Sequence, residues 1–471
     1  MPNPTNLPST PVVSASGLRL ACGLTLLGAL SGCTVYHPLT LDRAAVETAL
    51  QPPRPEAVRM AASAFKHPLL APLAIDGRDG FTPDEVALMA VIASPRLRAI
   101  RDLRGVAQAQ VIQAGLLPNP QLGYTLDQQV NNNDPALING RSLGLSWEVT
   151  SLLGYRDRVA GAKATASALD LDIAWREWQT AQAVRLTAFR VISLEQRLPL
   201  ARETEAELAE ALALARRARD LGHKTLADLA AITEAWSLAQ DARFALEQEL
   251  ISQRLVLALA LGRPADEPLK LKAGVVFPSL PQGADTAASL LDGLEKRRLD
   301  LVALTLGYES AEASLRAAVK AQFPKVGLSF AKARDTSDVH TRSYGVSVDL
   351  PLFDRNQGQI AAGTATRRQL FDEYVARVAE ARVEVVQILA NLAVTRAQLR
   401  TLDAELPELE SLAAALDRAM LTRNADAQAW RDAHGALLAR RAEQSKLRQD
   451  ILELGVALEL ATGRPLLIAG N

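Results

Sequence analysis

The side chain whose chemistry is most directly legible is Cys33. Leu30-Ser31-Gly32-Cys33 places small residues before a thiol at the end of an apolar stretch, Leu20 to Leu30, that is too short to span a bilayer. In that setting a peptidase cuts before a cysteine that carries a thioether-linked lipid. Residues 1–32 then form a lipoprotein signal peptide, and Cys33, bearing acyl chains such as palmitate, is the first mature residue. An ordinary signal peptide with an incidental cysteine is the alternative. Cys22 lies within the removed segment, so the mature chain keeps no thiol for a disulfide. Residue 34 is Thr and not Asp, which in such lipoproteins directs the chain to the outer membrane.

Other chemistry is sparse. His37, His67, His223, His340 and His434 show no metal-ligand spacing and read as surface residues, so no metal site is expected. No phosphate loop, dinucleotide fingerprint or nucleophile elbow appears, so no catalytic residue is named, no enzyme activity is expected, and the only cofactor is the covalent lipid. The 52 basic and 53 acidic side chains nearly cancel, which leaves no footprint for nucleic acid.

The composition, 4% aromatic and rich in Ala and Leu, is that of long packed helices. The sequence is also written twice, with a period of about 200 residues. Arg141-Ser142-Leu143-Gly144-Leu145-Ser146-Trp147-Glu148-Val149 returns as Arg342-Ser343-Tyr344-Gly345-Val346-Ser347-Val348-Asp349-Leu350, and Gly262-Arg263-Pro264 returns as Gly463-Arg464-Pro465. Leu246, Leu250 and Leu257 map onto Leu447, Ile451 and Leu458. The first repeat covers 81–275 and the second 284–471. Each reads as helix, strand, strand, very long helix, shorter helix, giving a mainly α protein with a small β part. Residues 33–80, Pro-rich and without periodicity, read as an extended N-terminal arm.

In the first repeat a helix is expected from about Thr82 to Gly115, ended by Pro118 and Pro120. Strands follow at about 118–130 and 141–151, with counterparts at about 324–333 and 342–352. Leu122, Tyr124, Leu126, Leu143, Leu145 and Trp147 alternate with Gly, Ser, Thr and acids, and the second repeat alternates likewise. A soluble half-buried sheet gives the same pattern. The segment lengths, the Gly/Ser/acid face and the outer-membrane address favour membrane strands. Asp127, Glu148 and Asp349 fall on the polar face and could line a lumen with rings of acids. Four strands cannot close a barrel alone, and open edges cannot sit in hydrocarbon, so the barrel must be shared between copies. Two copies give a filled lumen and three leave room for a pore.

Long helices follow the strand pairs, from about Arg158 to Asp220 and from about Gly363 to Thr422, with Pro199 and Pro407 expected to bend or divide them. At 1.5 Å per residue the first reaches roughly 90 Å.

The duplicated plan, Leu117-Pro118-Asn119-Pro120-Gln121-Leu122 at the first strand and Leu350-Pro351-Leu352-Phe353-Asp354-Arg355-Asn356-Gln357-Gly358 after the fourth resemble the TolC-type outer membrane efflux family. The phrasing is nearest to its heavy-metal and cation efflux channels. The resemblance implies a homotrimer: a twelve-strand transmembrane β-barrel continuous with a twelve-helix periplasmic α-barrel, embedded in outer membrane lipid. Its implied partners are a periplasmic adaptor (membrane fusion) protein and an inner-membrane pump of the RND type. The implied role is the passive exit duct of a tripartite efflux system, for heavy-metal cations or small toxic compounds. By the same resemblance the arm runs over the outside of the helical barrel. Gly222, Thr225, Leu226 and Asp228 look like an adaptor-contact hairpin tip, with Asn424 and Asp426 at the second tip, which lacks the Gly. The channel of a type I protein secretion system shares the architecture, and a lipid-anchored periplasmic coiled-coil scaffold is the alternative of another class.

Overall fold

The computed structural model describes residues 34–128, 130, 138–267, 269–273, 275, 287–421 and 427–467, with 420, 421 and 427 by backbone only. The expectations for residues 1–32, Cys33, Asn424 and Asp426 lie outside the described residues. The chain divides into two units, Met1–Gln51 and Pro52–Asn471. In the first, α1 (Arg43–Leu50) is capped by Asp42, whose carboxylate accepts from Ala45 N at 2.8 Å.

In the second unit the first half runs α2 (Pro55–Ser63), α3 (Pro83–Ala93), α4 (Pro95–Ala114), β1 (Gln121–Asp127), β2 (Gly140–Glu148), a 3-10 turn (Thr150–Leu152), α5 (Tyr155–Asp220) and α6 (Leu226–Leu261). The second half runs α7 (Ala287–Leu291), α8 (Leu294–Arg297), α9 (Leu299–Lys320), β3 (Lys325–Arg334), β4 (His340–Asp349), α10 (Gln357–Leu421) and α11 (Ala427–Thr462).

The single helix expected over Thr82–Gly115 is two. Thr82 and Glu85 form a capping box at the start of α3, and Ser94 leaves the helical region at ψ 120° because Pro95 follows it. Pro95 then occupies the first turn of α4, where its missing amide costs nothing. The break is gripped by Gly262, whose left-handed φ of +62° ends α6; a Cβ there would lie 2.9 Å from Pro95 Cδ. The second half repeats the device. Gly463, at φ +65°, ends α11 against the break between α8 and α9, where a Cβ would lie 3.2 Å from Arg297 O. The duplicated Gly-Arg-Pro is therefore a helix end seated on a helix break.

Pro199 and Pro407 divide neither long helix: α5 holds 66 residues and α10 holds 65 without interruption. One missing amide is a local loss against some sixty remaining ladder bonds, about eighteen turns, and their packing, and at 1.5 Å per residue each helix reaches about 100 Å. The arm is not wholly irregular either, since α1 and α2 fall within it. Phe65, Leu69 and Leu70 pack on the buried Ala87, Val91, Leu97, Trp175 and Trp178.

The core follows the duplication. Leu250, Leu257 and Leu261 of α6 pack with Val86 and Ala90 of α3 and Val184 to Leu198 of α5. Leu458 and Ala461 of α11 pack with Leu290 of α7 and with Val385 and Leu392 of α10. Helix α9 lies against both long helices. At Gly161 of α5 an added Cβ would meet Ala313 Cβ and Ser310 O at 3.4 Å; at Gly363 of α10 it would meet Leu315 Cδ1 at 3.2 Å. The strands form one antiparallel sheet in the order β1-β2-β3-β4.

Candidate functional site

The register aligns the alternating residues into rows across the sheet. On one face Leu122, Leu145, Phe330 and Tyr344 lie side by side, next to a row of Trp147, Leu328 and Val346 and a row of Val326 and Val348. Most of these side chains are not covered: Leu122 is 71% exposed, Tyr344 80% and Val346 69%, while Trp147 and Val326 are half-buried. The other face aligns Gln121, Ser146, Ser329 and Gly345, then Thr125, Ser142, Ala333 and Thr341. Glycine and serine face one another twice on it. A Cβ at Gly327 would lie 2.5 Å from Ser347 Oγ, and one at Gly345 equally close to Ser329 Oγ. Among the described residues the outer edges of β1 and β4 pair with nothing.

Asp127, Glu148 and Asp349 all fall on the polar face, but not at one level. Asp127 pairs with Gly140 at the end remote from the helices, whereas Glu148 pairs with Gly327 and Asp349 with Lys325 at the helical end. With eight residue steps from Gly140 to Glu148, the two levels are about 27 Å apart along the strand. Glu148 also accepts from Ser151 N at 2.9 Å, and so anchors the 3-10 turn.

The strand ends are tied to the helices by specific bonds. Trp147 Nε1 donates to Pro118 O at 2.8 Å, which gives the Pro-Asn-Pro entry a structural role. After β4, Asn356 takes φ +60°, donates through Nδ2 to Ala318 O at the end of α9 (2.8 Å), and its backbone N donates to Asp354 Oδ1 (2.8 Å). Gln357 Oε1 accepts from Arg355 N at 2.7 Å. The Asp-Arg-Asn-Gln run is thus a turn that satisfies its own backbone, while Leu352 and Phe353 beside it stand out, 66% and 92% exposed.

At the α5–α6 tip, Gly222 at φ +73° closes α5. Gly222 N donates to Arg219 O (2.8 Å) and His223 N to Ala218 O (2.8 Å). Thr225 caps α6: its Oγ1 accepts from Asp228 N at 3.1 Å, and Asp228 accepts from Thr225 N at 2.9 Å. The Thr225 backbone bond, with that from its hydroxyl, holds the Asp228 carboxyl below its ordinary range. Leu221 and Leu226 project from this turn almost unshielded.

Sequence reasoning missed the charged joints between the halves. Arg185 of α5 donates to Glu459 of α11 at 2.8 Å, and Glu459 also accepts from Leu466 N and Leu467 N at 2.7 Å. Arg185 Nε lies 2.7 Å from Asp84 Oδ1 without its N–H aimed there, so that contact is charge to charge. Arg298, buried at the α8–α9 break, pairs with Asp300 (2.8 Å) and Glu384 (3.1 Å) of its own half, and the first half supplies the Trp175 ring, 5.1 Å away. Nothing local marks the Arg185–Glu459 pair in sequence; only repeat-to-repeat packing reveals it.

Nor is His67 a surface residue. Its side chain is 1% exposed, its Nδ1 accepts from Leu69 N and Leu70 N at 3.0 Å, and its Nε2 lies 3.0 Å from Ala174 O. Burial lowers its pKa, outweighing the Ala174 bond and Glu177. The His434 and Trp430 rings pack at a tilt, 4.4 Å between centroids, and both bond to Asp417. Among the described residues no three His, Cys, Asp or Glu side chains gather as a ligand set, and no helix is long and apolar enough to cross a membrane. A cleft of about 1950 Å³ separates the α5–α6 and α10–α11 hairpins, lined by both leucines and acids, among them Leu238, Leu406, Glu207 and Glu410.

Residues 290–464 match the model of the family described as outer membrane efflux protein. No curated protein matches the chain. Among solved structures, the Campylobacter jejuni CmeC outer membrane channel shares 13% identity at TM-score 0.69, over 93% of this chain and 96% of that one. The open state of the Neisseria gonorrhoeae MtrE outer membrane channel shares 17% at TM-score 0.67, over 83% and 92%. CusC, whose structures concern transmembrane channel formation, shares 17% at TM-score 0.68, over 85% and 96%. The resemblance to the outer membrane efflux family is therefore present in the second repeat by sequence and in both halves by fold.

Proposed function

We propose that this chain is the outer-membrane exit duct of a tripartite efflux system, acting as a homotrimer without catalysis. One observation carries the reading: a four-stranded sheet has one face whose three rows nearest the helices are apolar and largely exposed, two outer edges unpaired among the described residues, and continuity with helices of 66 and 65 residues. Such a sheet is stable in hydrocarbon only when its edges meet those of neighbouring copies. Three copies close twelve strands, with the Gly/Ser face inward around a wet lumen.

In this reading Cys33 carries the lipid that anchors the chain to the outer membrane, and the helical hairpins stand in the periplasm. The α5–α6 tip, with Gly222, Thr225, Leu226 and Asp228, meets a periplasmic adaptor, together with the tip containing Asn424 and Asp426. The inner-membrane pump, of the RND type, selects the cargo, heavy-metal cations or small toxic compounds, because a duct lined by small polar groups has little means of selection.

Single-channel conductance of the purified lipidated protein in a planar bilayer, with its mass in detergent, tests this. Conducting trimers are expected. A non-conducting monomer would leave a lipid-anchored scaffold in its place.

A further inference from the structure

The apolar face of the sheet changes character along its length. The three rows nearest the helices carry no charge. The next row is Tyr124, Leu143, Lys332 and Arg342, and the one beyond it is Leu126, Arg141, Arg334 and His340. Four of the five Lys and Arg side chains in the strands therefore sit in two adjacent rows of this face, while all three strand acids lie on the opposite face. A merely solvated strand end would mix the signs.

The pairing makes the sorting more pointed. Lys332 lies directly opposite Arg342, and Arg141 directly opposite Arg334. Like charges in that position destabilise a sheet unless an anion lies among them. Arg334 has a carboxylate partner, Asp338 in the β3–β4 turn, and His340 lies 3.9 Å from the same group. Arg141, Lys332 and Arg342 are exposed and, among the described residues, have no carboxylate within salt-bridge reach. Tyr124 and Tyr344 flank them with exposed rings, as aromatic side chains do at the edge of a hydrocarbon layer.

We infer that Arg141, Lys332, Arg334 and Arg342 form a phosphate-binding corner on the bilayer side of the sheet, occupied by the phosphorylated headgroup of an outer-leaflet glycolipid. The inference rests on the reading of the sheet as a membrane barrel. A guanidinium offers two parallel donors to a phosphate, and the apolar rows beside the corner accept the acyl chains of the same molecule. That combination commits the site to a lipid; a free phosphate would use the cations alone and leave the adjoining Leu143, Leu145 and Phe330 idle.

The test uses the full-length lipidated protein in detergent, with bis-phosphorylated lipid A, its dephosphorylated form and inorganic phosphate as probes, read by native mass spectrometry and thermal unfolding. The expected result is retention of bis-phosphorylated lipid A with a raised melting temperature, and no retention of the dephosphorylated form. Lys332→Gln with Arg342→Gln should weaken retention roughly tenfold or more, while still giving conducting channels in a zwitterionic bilayer. Equal retention of both lipids by the unaltered protein would overturn the inference, whatever the variant does. Full displacement by inorganic phosphate would make the corner a free-phosphate site and overturn the lipid assignment. Absence of conductance from the unaltered protein would instead count against the barrel itself.

Discussion

Arg185 Nη1 donates to Glu459 Oε2 over 2.8 Å, joining the long helix of the first half to the last helix of the second, with the carboxylate wholly buried. A buried ion pair adds modest net stability, but removal of one partner leaves an uncompensated charge. Glu459→Ala is expected to destabilise the fold by about 3–5 kcal/mol, and Glu459→Leu combined with Arg185→Met to recover part of that loss. Denaturant unfolding in detergent measures both; equal losses in the single and double variants would show that the pair is not the joint.

His67 makes stability depend on pH. Burial lowers its pKa below the ordinary value of 6.5, and the neutral ring accepts two backbone bonds at Nδ1. In the window below 6.5 the unfolded chain binds a proton that the folded chain refuses, so this contribution is full above that pH and is lost as pH falls through it toward the folded value. The melting temperature should drop accordingly, and His67→Gln should flatten the slope. An unchanged slope in the variant would assign the pH dependence elsewhere.

Gly161 and Gly363 keep α9 close to both long helices. Gly161→Leu should cost about 1–3 kcal/mol by overpacking against Ala313 and Ser310. Gly105→Ala, where nothing lies within 4 Å, should instead stabilise by about 0.5–1 kcal/mol through helix propensity. Thermal unfolding of the two variants should move in opposite directions.

The α5–α6 tip can be loosened without touching the core. Thr225→Ala removes a cap worth about 0.5–2 kcal/mol, and Gly222→Val forces a β-branched residue into φ +73°. Both should weaken binding to the periplasmic adaptor more than they lower the trimer's melting temperature. An undiminished adaptor affinity would remove this tip from the docking surface.

The three acids of the polar face should contribute unequally. Asp127 has no basic residue opposite it, Asp349 faces Lys325, and Glu148 is engaged by Ser151 N. Asp127→Asn is therefore expected to reduce cation preference in single-channel records more than Asp349→Asn or Glu148→Gln. Unchanged preference in all three would mean that the lumen acids are only solvated.

Much was written locally enough to read. Strand alternation places Leu122 and Leu145 on one face and Gln121 and Ser146 on the other, because side chains in strands alternate whatever the tertiary setting. The duplicated Gly-Arg-Pro marks two helix ends for an equally local reason: only a residue free to take positive φ closes a helix that way. Other features depended on partners far along the chain. Pro199 could have divided α5, yet the helix continues, because Leu194 and Leu198 before the proline and Leu212 after it are buried against α6 and hold both sides in line. His67 carried no signal of burial until Ala174 and Glu177, over a hundred residues away, closed around it. Whether Arg185 and Glu459 are surface charges or a buried joint was decided only when two halves with the same sequence plan packed together, since a charge's energy is set by what excludes water from it and not by its neighbours in sequence.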